Sequence, residues 1–135
     1  MAQGRFSGDP ARLKGAFAQT VGPYTFGLVS RRVGDDGGHT IHVMGPVKGQ
    51  EEEVLRFDCF EKQPHYHVGF SHRDGPIVPI DDASPFEWSV GKIRSSFSQL
   101  LEAAGADGEY QEEWASDLDA VLDRILDRAA ELANP

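Results

Sequence analysis

The apolar pattern of this chain changes period once, and that change fixes the fold class. From Tyr24 to Phe70 apolar and polar residues alternate, while from Val90 onward apolar residues recur at helical spacing. A chain built as strands followed by helices is expected to be α+β, with helices packed on one face of an antiparallel sheet.

The alternating region divides at glycines and prolines into four strands. YTFGLVSRRV places Tyr24, Phe26 and Leu28 on one side and Thr25, Val29 and Arg31 on the other. GDDGG is a turn able to supply positive φ, and HTIHVMG resumes as a second strand. After GPVKGQ, the run EVLRFDCFE sets Leu55, Phe57 and Cys59 against Arg56, Asp58 and Phe60; KQP turns the chain into HYHVGF. Short links between successive strands predict a four-stranded meander.

One domain over 1–135 is expected, the length suiting a single core. Its parts are an N-terminal segment 1–22, the sheet over 23–71, a helix over 84–105 and an acidic helix over 109–133. In the first, Asp9-Pro10 is an N-cap type with a first-turn proline, and Leu13 and Phe17 lie four apart, which predicts a short helix. The 84–105 helix can start from a cap at Ser89, or at Ser84 with Pro85 in the first turn and Glu87 closing a capping box; Gly105 ends it. Both C-terminal helices are amphipathic, so each needs a partner surface. The lone Cys59 makes no internal disulfide and reads as a small buried apolar residue.

Burial of Leu55, Phe57, Tyr66 and Val68 puts Arg56, Asp58, His65 and His67 together on the opposite, uncovered face, because side chains at i and i+2 of a strand share a side. His39 and His42 fall on opposite sides of the neighbouring strand, and His42 is the one that joins the group. Two imidazoles beside a guanidinium and a carboxylate could cleave RNA without a metal. One His would take the 2′-hydroxyl proton, the other would protonate the leaving oxygen, Arg56 would stabilise the phosphorane, and Asp58 would orient an imidazole. The alternatives are a divalent metal on His65 and His67, with Asp58 or His42 as third ligand, and a plain solvated polar face in which Arg56 and Asp58 are only an ion pair. No serine-hydrolase elbow, phosphate loop or dinucleotide fingerprint occurs.

The sequence R-F-D, a short turn, P-H-Y-H-V-G, a loop, then F-E-W-S-V opening a helix resembles the toxin component of TumE/TumA-type bacterial toxin–antitoxin pairs over about residues 54–104. Asp58, His65, His67, Gly69 and Ser89 stand at the matching positions. Cys59 replaces the usual Asn, Pro64 stands where the turn is usually glycine-rich, and the acidic C-terminal helix has no counterpart. The resemblance implies a growth-inhibiting protein neutralised by an antitoxin partner.

The formal net charge of −9 is carried by the tail: residues 1–100 hold 11 basic and 12 acidic side chains, residues 101–135 hold 2 and 10. The body is therefore compatible with an anionic substrate such as RNA, though it lacks the basic surface of a dedicated DNA binder. Asp119, Asp123, Asp127 and Glu131 recur every four residues, which stacks like charges along one helix face. That face defines a second function class, a non-catalytic module that engages a partner or a second copy. With no apolar run of about 20 residues and no apolar leader at its start, the chain is expected to be cytoplasmic and not membrane-bound.

Overall fold

The computed structural model describes residues 17–69 and 77–133. It is α+β, as the change of period predicts. Among the described residues six strands, not four, form one antiparallel sheet in chain order: β1 (Phe17–Val21), β2 (Tyr24–Val33), β3 (Asp36–Val47), β4 (Gln50–Phe60), β5 (His65–Val68) and β6 (Ile77–Pro79). The two additional strands are the edges. Phe17, Ala18 and Gln19, expected in a helix, instead pair with Leu28, Gly27 and Phe26 through the tight Gly22-Pro23 turn. Ladder pairing to a long neighbour overrides the weak local helix signal; the remainder of that expected helix lies outside the described residues. β6 falls in a stretch expected to be loop: its proline leaves only one edge able to pair, and that edge meets β5.

The sheet's apolar face carries Phe26, Leu28, Ile41, Val43, Leu55 and Phe57, all fully buried. Two helices cover it. In α1 (Pro85–Ala104), Val90, Ile93, Phe97, Leu100, Leu101 and Ala104 are buried at the expected spacing, and Gly105 closes the helix in the left-handed conformation, at φ 77°. Of the two expected starts the earlier is taken, yet no side-chain cap forms at Ser84. Ser89 lies inside the helix, where its hydroxyl donates to the Pro85 carbonyl at 2.7 Å and accepts from the Cys59 thiol at 3.4 Å. The acidic helix opens with a 3-10 turn (Glu112–Trp114) before α2 (Ala115–Ala133). Leu118, Val121, Leu122, Ile125 and Ala129 form its buried stripe, while Leu132 is exposed.

Rings join the layers, Phe97 packing edge-on to Tyr24 at 5.6 Å and Tyr24 to Trp114 at 5.9 Å, while within the sheet Phe57 stacks on its cross-strand neighbour Tyr66 at 4.8 Å. Each such ring pair contributes about 0.5–1.5 kcal/mol beyond its area burial. No helix among the described residues is long and apolar enough to cross a membrane.

Candidate functional site

The face of the sheet away from the helices is polar, and strand register assembles it. Asp58 on β4 lies opposite Thr40 on β3 and His65 on β5; Arg56, two residues earlier, lies opposite His42 and His67. The four residues expected to come together from the sequence do so.

Asp58 is the hub. Its Oδ1 accepts from Arg31 Nη1 at 3.0 Å and from the Thr40 hydroxyl at 2.9 Å. Its Oδ2 faces His65 Nε2 at 3.1 Å, Arg56 Nε at 3.3 Å and His67 Nε2 at 3.5 Å. The imidazole centroids are 5.0 Å apart, edge to face. Burial would raise the Asp58 pKa, but the hydrogen bond from His65, the adjacent His67 imidazole, the Arg56 charge and the Thr40 hydroxyl outweigh it and hold the carboxyl far below the usual range. The same contact raises His65: its bond to Asp58 outweighs the desolvation that would lower it.

The expectation of a face open to solvent is not met. The Asp58 side chain is 2% exposed, His67 8%, Arg56 13% and His65 22%. Opposite charges on adjacent strands close over one another, and a buried carboxylate is tolerated because every oxygen is matched. His65 stands at the accessible edge. A cavity of about 250 Å³ beside it is lined by Val33, Asp35, Asp36, Phe60, Lys62 and Gln63.

The orientation of His65 is built from a distance. Asp36, at the β2–β3 turn, accepts from the backbone N–H of Lys62 at 2.9 Å through Oδ1 and of Gln63 at 2.9 Å through Oδ2. The Gln63 carbonyl so placed takes the His65 Nδ1–H at 2.8 Å. With Nδ1 committed to a carbonyl, Nε2 is the atom presented to Asp58, the same arrangement that fixes metal-ligating histidines.

His42 does not join the imidazole pair. A register shift between Val43 and Met44 places Glu53 opposite Met44 and leaves Val54 as the extra residue of a bulge. The bulge brings Glu53 onto the polar face, where its Oε2 meets His42 Nδ1 in a short buried contact and its Oε1 lies 3.7 Å from Arg56 Nη1. Arg56 thus separates the His42–Glu53 pair from the Asp58 centre. Strict alternation along β4 would have put Val54 on this face, so Glu53 was hidden from the sequence; the adjacent apolar pair Val54-Leu55 is the signal that the alternation breaks. Arg31 and Thr40 were accessible to the same face argument, and Asp36 was legible only as a turn residue.

Asp58, His65 and His67 each offer one ligand atom, all within 4.8 Å of one another. Two ligands held about 2.1 Å from a common ion lie roughly 3.0–3.4 Å apart, depending on whether the site is octahedral or tetrahedral. The 3.1 Å separation of His65 Nε2 from Asp58 Oδ2 falls within that spacing and the 3.5 Å separation of His67 Nε2 lies just beyond it. Of the two third ligands weighed from sequence, it is Asp58 and not His42 that faces the pair.

Fold and site together define a small α+β protein with a largely buried carboxylate–imidazole centre on the side of an antiparallel sheet away from its helices. The family model of a domain of unknown function, DUF7700, matches residues 19–131, and the chain belongs to that family. No curated protein and no solved structure matches it.

Proposed function

We propose that this protein is a small toxin-like hydrolase that holds a divalent metal between Asp58, His65 and His67 and acts on an anionic phosphodiester, RNA being the substrate class. The observation that carries the reading is the convergence of His65 Nε2 and His67 Nε2 on the single oxygen Asp58 Oδ2. Two imidazoles and one carboxylate suit zinc, iron or manganese, and a three-ligand set leaves a position for water or substrate. Bound there, the ion supplies a lowered water pKa and a Lewis acid. Asp58 is held in place by Arg31 and Thr40 on its other oxygen, His65 is oriented by Gln63, and Arg31, with a side chain 22% exposed, offers positive charge to an anionic substrate at the rim. The resemblance to toxin components supplies the setting, an activity restrained in the cell by an antitoxin.

One observation favours a metal-free variant of this reading: the raised pKa of His65, at the edge of the cavity, suits a general acid. Against it, both His65 nitrogens already have protein partners, so a substrate would have to displace Asp58 or Gln63. The test is cleavage of RNA and of a model phosphodiester by purified protein with added Zn²⁺ or Mn²⁺ and with chelator. Activity that needs metal and disappears in His65→Ala/His67→Ala is expected. Cleavage that survives chelator favours the metal-free variant, and growth inhibition undiminished in the double variant rejects both.

A further inference from the structure

Arg56 stands where a metal would be least compatible with it. Its Nη2 lies 3.3 Å from His67 Nε2 and its Nε 3.3 Å from Asp58 Oδ2, so one guanidinium faces two of the three atoms that would ligate the ion. A guanidinium and a divalent cation cannot share those lone pairs, and their charges repel at this range. The same side chain has a second carboxylate in reach, since Glu53 Oε1 lies 3.7 Å from Nη1, too long for a hydrogen bond but within a small side-chain rotation of one. Glu53 is prepared for this: its other oxygen is occupied by His42 Nδ1, which leaves Oε1 turned toward Arg56. His42 holds that contact even though its Nε2 is buried with no hydrogen-bond partner.

We propose that Arg56 is a resident counter-ion of the metal site, withdrawing from Asp58 and His67 onto Glu53 when a divalent ion binds, and that the His42–Glu53 pair is the seat that receives it. This rests on the metal reading above and adds a device to it: metal affinity is set by a competing cation outside the ligand set. Glu53 and His42 are then positioning residues, acting only through Arg56.

The test is the Zn²⁺ affinity of the full-length protein, measured by competition with a chromophoric chelator, for wild type, Arg56→Met, Glu53→Gln and the double variant. Arg56→Met is expected to bind about tenfold more tightly and Glu53→Gln about tenfold more weakly, within the usual range of coupling between sites. In the Arg56→Met background, Glu53→Gln is expected to change nothing, an outcome a merely structural Glu53 would not produce. Equal or weaker binding by Arg56→Met, or a Glu53→Gln effect that persists without Arg56, overturns the inference while leaving the metal site standing. Absence of zinc binding in both wild type and Arg56→Met removes the metal reading itself. Should Arg56→Met fail to fold, the Arg56 Nε–H resonance of the wild-type protein gives an independent reading. It is expected to move on zinc addition in wild type and to move differently in Glu53→Gln, and an unmoved resonance in zinc-bound wild type overturns the proposal.

Discussion

Asp58 is a buried anion whose partners come from four strands, so its removal is felt by groups far apart in sequence. Asp58→Asn leaves the Arg31 and Arg56 charges without their shared carboxylate and is expected to destabilise the fold by about 3–5 kcal/mol, measured by urea unfolding. His65 contributes with the opposite sign of pH dependence. Its folded pKa is raised, so in the metal-free protein its contribution is complete below the unfolded value of about 6.5 and is lost as pH rises through the folded value. Asp58, with its pKa lowered, contributes above about pH 4 and loses that contribution as pH falls further. Urea titrations between pH 5 and pH 9 should therefore show stability declining on the alkaline side in wild type and a flatter profile in His65→Gln; identical slopes would refute the assignment. Cys59 lies close by in sequence but on the other face, where burial pushes its thiol up to about 12 and makes it inert to alkylation in the native state.

At the scale of the element, glycine packing and a bulge decide what alternation alone does not. A Cβ at Gly45 would lie 2.3 Å from the Tyr24 ring, which is buried against Phe97 and Trp114 and has nowhere to move. Gly45→Ala is expected to cost about 2 kcal/mol or more, read as a lowered urea midpoint at unchanged m-value. The central strands, both helices and the shared face of Arg56, Asp58, His65 and His67 were legible because periods of two and 3.6 survive in the sequence wherever one side is buried. Three things were not. The edge strand β6, three residues long, is too short to stand out from loop, and the first residues of β1 continue the local helix signal that starts at Asp9-Pro10. Glu53 and His42 meet only because of the bulge at Val54. The burial of the polar face follows from charges on several strands pairing with one another, which no single strand displays.

The whole molecule places its two charged features on opposite sides of the sheet. The acidic row of α2 is on the helical side, answered in part by Arg94 of α1, which bonds Asp119 at 2.7 Å and Asp123 at 3.0 Å, and by Arg128 with Glu131. These pairs are exposed, so Arg94→Ala is expected to cost no more than about 1 kcal/mol in low salt and less in high salt, measured by urea unfolding at the two ionic strengths. The polar centre is the feature that can couple to the entire fold, because an ion bound only by the native state stabilises it. At a hundredfold excess of Zn²⁺ over its dissociation constant the gain is about 2.7 kcal/mol, on the order of 10 °C in melting temperature for a chain of this size. That gain should reverse with chelator and be absent from His65→Ala/His67→Ala.

The most direct measurement is anomalous diffraction at the zinc edge from crystals grown with one equivalent of Zn²⁺. The expected result is a single strong site within about 2.0–2.2 Å of Asp58 Oδ2, His65 Nε2 and His67 Nε2, with the Arg56 guanidinium moved onto Glu53. Zinc at any other place, or no ordered zinc with Arg56 still seated between Asp58 and His67, would contradict the account.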